Sequence, residues 1–323
     1  MDMDVIQLVE VLRGAGEPTR MRILALLSRE ELSVMEICQI LGQSQPRVSR
    51  HLKLLAEARL VERFPDGGWV FYRLAAGGPR RDLMEAALSK LDPKDRFIAR
   101  DRDRLAEVNS ARAAEAAAYF GRNAARWDEV RSLYVAEDEV EAAIVEAAGD
   151  GPFNRLIDLG TGAGRMLTLL GGSAATALGL DLSQQMLNIA RREVSMAGLE
   201  RCELRHGDIL TTGLADGCAD LVVIHRVLHF LADPRAALAE AARLVAPGGR
   251  LLIVDFAPHQ LEYLRQAHQH RRLGFSDEEI GRWCREAGLE AETAASLAPS
   301  AEGGLTVKVW SARPLTRSQR NAA

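Results

Sequence analysis

Residues 154–170 read NRLIDLGTGAGRMLTLL. Leu156, Ile157 and Leu159 form a short apolar run of the kind that makes a buried strand. Gly160, Gly162 and Gly164 follow as a turn, and RMLTLL continues as a helix. A strand, a glycine-rich turn and a helix in this order form a cradle, because a backbone without a Cβ lets a ligand approach closely. The dinucleotide fingerprint G-x-G-x-x-G requires glycine where this chain has Arg165, so a nicotinamide cofactor is disfavoured. No G-K-[ST] follows either, which excludes an ATP-type phosphate loop.

Outward from this stretch, apolar runs alternate with amphipathic ones. ATALGLDLS is a second strand ending at Asp181, and QQMLNIARREVSMAGL is the helix after it. CELRHGDIL is a third strand ending at Asp208, and DLVVIHRVLHFL a fourth. Asp233 caps the next helix, with Pro234 at its first position, where a missing N–H costs nothing. RLLIVDF is a fifth strand. Ser276 and Glu279 make a capping box, and AETAASLA and GLTVKVWSA are the last strands. The alternation predicts an α/β fold, a doubly wound parallel sheet with its ligand at the carboxyl ends of the strands.

The first hundred residues read differently. DVIQLVEVLRGAG, EPTRMRILALLSR and SVMEICQILG are short helices, the third with Ser33 and Glu36 as a capping box. SQPRVSRHLKLL, residues 44–55, is a fourth, with Ser44 as N-cap and Pro46 in its first turn. Two β-rich runs, LVERF and WVFYRL, flank PDGG as a hairpin. Helices followed by a hairpin predict an α+β winged helix-turn-helix. Its fourth helix would enter the major groove of double-stranded DNA. Ser44, Gln45, Arg47, Ser49, Arg50, His51 and Lys53 are the candidate contacts on that helix. Arg63 and Arg73 are candidates on the wing.

Composition bounds the rest. The 323 residues carry a formal net charge of −4, so sequence-blind binding of nucleic acid by the whole surface is excluded and a local basic patch is not. No apolar run approaches the ~18 residues of a membrane span. The acidic start MDMDVIQLVE does not resemble a signal peptide. Four scattered cysteines form no C-x-x-C pair, which fits a reducing cytoplasm.

Two resemblances emerge. EPTRMRILALL, ELSVMEICQILGQSQPRVSRHLKLLAEARLV and GGWVFYRL resemble the ArsR family of dimeric bacterial repressors. That resemblance implies a homodimer formed through helices near 5–13 and 78–91. Metal-sensing members carry a cysteine pair where this chain reads ELSVMEI. Cys38 stands alone, so no metal is expected. DLGTGAGRM, LGLDLSQQML, HGDI, DLVVIHRVLHFL and APGGRLLIVDF resemble the class I S-adenosylmethionine-dependent methyltransferases. That resemblance implies a Rossmann-like domain holding S-adenosylmethionine or S-adenosylhomocysteine. The implied contacts are Asp158, Gly160, Thr161, Gly162, Gly164, Asp181, Leu182, Met186, Asp208, Ile209 and His225. Asp181 would accept from the ribose hydroxyls, Asp208 from the adenine amino group, and Leu182 and Met186 would sandwich the purine.

The expected organisation is a DNA-binding domain at 1–91, a helical connector at 92–150, a methyltransferase-like domain at 151–313 and a tail at 314–323. The connector carries Tyr119, Phe120, Trp127 and Tyr134 in a chain only 5% aromatic, and these residues are expected to dock on the next domain. No Asn-Pro-Pro-Tyr-like run follows the fourth strand and no Pro-Cys nucleophile is present, so methylation of the bound DNA is not expected. His225 and His229 are weak candidates for a catalytic base. Two functions remain open. One is a repressor that takes an adenosyl ligand as effector, as the resemblance to fused regulators of bacterial methionine metabolism implies. The other is a working small-molecule methyltransferase that controls its own expression.

Overall fold

A computed structural model of the chain describes residues 3–66, 69–75, 77–123, 137–299 and 304–315. These fall into two compact units, Met1–Ala114 and Glu115–Ala323.

The first unit begins with α1 (Val5–Ala15), α2 (Pro18–Leu27), the short strand β1 (Leu32–Ser33), α3 (Val34–Leu41) and α4 (Gln45–Glu57). The hairpin β2 (Val61–Asp66) and β3 (Trp69–Leu74) and helix α5 (Pro79–Leu88) follow. The capping box predicted for α3 is present: Ser33 Oγ accepts from Glu36 N, and Glu36 accepts from Ser33 N. Val48, Leu52 and Leu55 of α4 are fully buried against Ile23, Leu24, Ile37 and Ile40. Asp66 pairs with Trp69 in the hairpin, as the turn signal required, and β1 adds a third antiparallel strand.

The described residues of 92–150 divide between the two cores. Helix α6 (Arg96–Asn123) buries Leu105 and Val108 in the first core, and Asp101 accepts from both Nε and Nη2 of Arg22 at 2.6 Å. Helix α7 (Glu137–Ala148) instead buries Val140, Ile144 and Ala148 in the second core. Alternating charges in the sequence concealed these sparse apolar stripes. Trp127 and Tyr134 lie outside the described residues, as do the side chains of Tyr119 and Phe120.

In the second unit, β4 (Phe153–Leu159), β5 (Ala174–Asp181), β6 (Cys202–His206), β7 (Ala219–His225) and β8 (Val245–Phe256) run parallel. With β9 (Leu289–Leu297) and β10 (Val307–Pro314) they make a seven-stranded sheet in the order β6-β5-β4-β7-β8-β10-β9. Leu251 and Ile253 of β8 face one core, and Leu252, Val254 and Phe256 face the other. This period of two buries the strand on both faces. Helices α10 (Pro234–Leu244) and α12 (Asp277–Glu286) cover the first face. Helices α7, α8 (Arg165–Leu170), α9 (Gln184–Met196) and α11 (Tyr263–His268) supply the second.

The sheet is not wholly parallel. Strand β10 runs antiparallel to both β8 and β9. The stretch between β9 and β10 is too short for a crossover helix, so the chain can only turn back on itself. Among the described residues no helix is long and apolar enough to cross a membrane.

Candidate functional site

Helix α4 presents one exposed arc. Gln45, Arg47, Arg50 and Lys53 are exposed and Ser49 partly so, while Val48, Leu52 and Leu55 face inward. Among the described residues neither Arg47 nor Arg50 has a carboxylate partner, and Lys53 meets only Glu57 at 3.9 Å. Ser44 sits at the N-cap, but its hydroxyl makes no capping bond. Its carbonyl accepts from Arg47 N and Val48 N instead.

Two candidate contacts lie elsewhere than the sequence suggested. His51 turns inward, with Nδ1 3.5 Å from Glu17 Oε2, and burial lowers its pKa. On the wing, Arg73 Nε donates to Glu62 at 2.8 Å and Nη1 to Glu31 at 3.4 Å, with its guanidinium over the Phe64 ring. Its charge is already met by carboxylates, whereas Arg63 is exposed. Strand alternation explains the difference. Arg73 shares a face with Phe71 and pairs across the hairpin with Glu62.

The second unit gathers most of its candidates at the carboxyl ends of β4, β5 and β6. Asp158 is 1% exposed, its Oδ2 accepts from Thr161 Oγ1 at 2.6 Å, and its Oδ1 is buried with no partner. Burial pushes its pKa up to about 7, with the nearby Asp181 carboxylate adding to the rise. Asp181 accepts from Gly162 N at 2.8 Å and from Ser183 N at 2.7 Å. Burial raises its pKa as well. Ser183 caps α9 through Met186 N, so the helix does not need Asp181 for its cap. Each carboxylate oxygen of Asp181 accepts one backbone N–H and retains capacity for another donor.

The glycines divide into two kinds. Gly160 has φ +76°, and a Cβ there would lie 2.5 Å from Val227 Cγ2. It is required by packing, not by ligand approach as the sequence suggested. Gly162 has φ +53°, and its nearest neighbour would be Met186 Cε at 3.5 Å, so this backbone is the open one. Gly164 closes the turn as the N-cap of α8. Leu182 is 46% exposed and available to a flat ligand, but Met186 is only 1% exposed and belongs to the core beneath the turn. Asp208 holds its own loop by accepting from Leu210 N at 2.9 Å, beside the buried Ile209.

His225 ends β7, half-buried, and Arg226 follows in a left-handed conformation at φ +54°. Arg226 Nη1 donates to Glu137 Oε1 of α7 at 2.5 Å. His229 is 2% exposed, and its Nδ1 lies 2.7 Å from Oδ1 of the fully buried Asp255 at the end of β8. The sequence singled out neither Arg226 nor Asp255. A charged residue closing an otherwise apolar strand, as in RLLIVDF, is the signal that marks Asp255. Among the described residues no three His, Cys, Asp or Glu converge as metal ligands would.

Comparison with known proteins follows this division. Residues 17–63 match the family model described as a bacterial regulatory protein of the arsR family, and residues 157–253 match a methyltransferase domain. The chain is 38% identical over 88 residues to the HTH-type transcriptional regulator KmtR of Mycobacterium tuberculosis, covering 27% of this chain and 68% of that protein. The chain belongs to the arsR family of regulators. Behind its winged helix this arsR-family protein carries a fused methyltransferase domain. That domain is similar to the demethylmenaquinone methyltransferase of Clavibacter sepedonicus, 31% identical over 157 residues, covering 46% of this chain and 63% of that protein. The chain spans between 33% and 63% of the first curated relatives' lengths. The methyltransferase in a solved complex with the Haloferax volcanii Trm112 activator shares the fold at TM-score 0.50 and 21% identity, covering 61% of this chain and 98% of that one.

Proposed function

We propose that this arsR-family protein is a DNA-binding repressor whose methyltransferase domain takes an adenosyl ligand, S-adenosylhomocysteine or S-adenosylmethionine, as its effector. The genes it controls would then belong to the cycle that makes and consumes that ligand. The exposed arc of α4 carries the regulator reading. In a chain of net charge −4 whose other arginines are repeatedly ion-paired, Arg47 and Arg50 stand on one exposed face without carboxylate partners among the described residues. Such an arc suits base edges and phosphates, with Arg63 on the wing for the flanking backbone.

The cradle supports the ligand half. The backbone at Gly162 is open, Asp181 has acceptor capacity beyond its two backbone bonds, and Asp158 holds an unpartnered buried oxygen beside them. Two ribose hydroxyls suit Asp181, and an ammonium suits Asp158. Leu182 is exposed where a purine face would lie. Dimerisation fits the exposed apolar side of α1, where Val5, Ile6 and Leu12 are 77%, 72% and 53% exposed. Two copies would present two recognition helices to half-sites about one DNA turn apart.

A second reading, a working small-molecule methyltransferase that also represses its own operon, is favoured by one observation, the His229–Asp255 pair at the strand ends. Calorimetry with Asp181→Ala tests the ligand assignment. Loss of a charge-assisted contact is expected to weaken either adenosyl ligand by about 1.5–3 kcal/mol with the fold intact. Native affinity in the variant overturns the assignment.

A further inference from the structure

We propose that helices α6 and α7 are the two ends of a strap that carries the state of the adenosyl cradle to the helix-turn-helix. In this device α7 reads the cradle through Glu137 and Glu141, and α6 delivers the change through Asp101, Arg104 and Asn109. The strap rests on the reading of the chain as an adenosyl-responsive regulator and names the route by which effector reaches DNA.

Glu137 and Glu141 stand one turn apart on α7 and share a face. Each meets an arginine from a different loop of the cradle. Arg165, the first residue of α8 directly after Gly164, donates from Nε to Glu141 Oε1 at 2.6 Å and from Nη2 to Oε2. Arg226, directly after His225 at the end of β7, donates from Nη1 to Glu137 Oε1 at 2.5 Å, and its side chain is 8% exposed. The next residue, Val227, packs against Gly160. The glycine turn is therefore tied to α7 at both ends, through Val227 and Arg226 at Gly160 and through Arg165 at Gly164. A ligand that settles on Gly162 and Asp181 loads a turn held in this way.

The other end grips the first unit. Asp101, Arg104, Leu105, Val108 and Asn109 of α6 recur at the spacing of one helical face. Leu105 and Val108 enter the core, and the polar residues each reach a different part of the DNA-binding machinery. Asp101, 3% exposed, takes both Nε and Nη2 of Arg22 on α2. Arg104 Nη1 donates at 2.9 Å to Ile40 O in the last turn of α3, where carbonyls lack intrahelical partners. Gly42 follows at φ +65° and makes the turn into the recognition helix α4. Asn109 Nδ2 donates to Glu30 Oε1 at 2.7 Å, and the adjacent Glu31 accepts from Arg73 of the wing.

Apolar contact is non-directional, so a helix kept only for packing needs none of these bonds. A buried ion pair adds little net stability over an apolar pair of similar volume, yet breaking it on one side is costly. Such pairs hold one geometry or another, not a continuum between them. The chain from α6 to α7 is the covalent link between the two units, and pairs of this kind stand at each end of it.

The test uses the full chain. It measures affinity for S-adenosylhomocysteine by calorimetry, affinity for a duplex selected by the protein from a random pool, and the factor by which each changes the other. In the unaltered protein that factor is expected at about 5–150-fold, and Glu141→Gln and Arg104→Gln should each bring it to within about twofold of one. A helix that only packs would lose stability in Arg104→Gln and keep its coupling. A factor that survives in both variants overturns the strap. Should a variant fail to fold or lose either ligand, hydrogen exchange of the unaltered protein decides. S-adenosylhomocysteine without DNA is expected to change the protection of amides in α6 and in the last turn of α3 several-fold, and unchanged exchange there overturns the proposal. Absence of coupling in the unaltered protein removes the sensor reading and the strap with it, whereas coupling that persists in the variants removes only the strap.

Discussion

Two glycines two residues apart should fail in opposite ways. Gly160→Ala forces a left-handed alanine, at about 1–2 kcal/mol. It also drives a methyl to within 2.5 Å of Val227 Cγ2 and 3.3 Å of its Cβ. Valine is stiff at χ1, so this contact cannot be relieved by a rotamer change, and overpacking adds about 1–3 kcal/mol. The total is about 2–5 kcal/mol of lost stability in the second unit. Gly162→Ala carries the conformational cost alone, because Met186 Cε at 3.5 Å is an ordinary contact. Its methyl instead meets whatever occupies the cradle. The assay is urea unfolding followed by tryptophan fluorescence in a Trp69→Phe, Trp127→Phe background. Only Trp283 and Trp310, buried at 3% and 1% exposure, then report on the second unit. Gly160→Ala should shift the midpoint strongly, while Gly162→Ala should shift it little yet lose adenosyl affinity. Equal destabilisation by the two substitutions would refute the division of the turn into a packing glycine and a ligand glycine.

Arg50→Ala should weaken binding to duplexes selected by the protein from a random pool by about 1–3 kcal/mol, whereas Arg73→Ala should change it far less. A gel-shift titration at fixed salt in which the two losses match contradicts the placement of Arg73 among Glu62 and Glu31. Ile6→Lys with Leu12→Lys should give a monomer in sedimentation analysis with weakened DNA binding, and an unchanged dimer removes α1 from the interface. Asp158 holds its proton more tightly folded than unfolded, with a pKa of about 7 against 3.8. Asp158's own contribution to the stability of the ligand-free second unit should therefore fall as pH rises from about 4 to 7, by up to about 4 kcal/mol, against an opposing rise from His259 and His270, whose pKa values burial lowers. Asp158→Asn should remove that contribution, so the stability of the variant should rise more steeply with pH than that of the unaltered protein, and an unchanged profile rules out Asp158 as a titrating group in this range.

Much of this was legible in the residues because local and tertiary demands agree. Ser33 with Glu36, Asp233 with Pro234, and Ser276 with Glu279 each signal a helix start that the fold uses. The order of glycines and aspartates in DLGTGAG, GLDLS and HGDI located the cradle. What escaped was information that exists only between strands. Arg73 reads as a free wing cation until register pairs it with Glu62. Met186 reads as one side of a purine sandwich, yet on α9 it is buried at 1% exposure. His229 reads as an isolated histidine because its partner Asp255 lies 26 residues later, on the neighbouring strand. The antiparallel β10 was missed because alternation of strands and helices says nothing about the direction of the last hairpin.

In the proposed regulator, ligand and DNA act on one equilibrium. Such coupling is reciprocal, so each must change the other's affinity by the same factor, on the order of 5–150-fold for about 1–3 kcal/mol. The most direct measurement is the affinity for S-adenosylhomocysteine with and without a saturating selected duplex, paired with the affinity for that duplex with and without S-adenosylhomocysteine. Equal factors different from one are expected. If DNA leaves the affinities for both S-adenosylhomocysteine and S-adenosylmethionine unchanged, the second domain is not the sensor of this regulator.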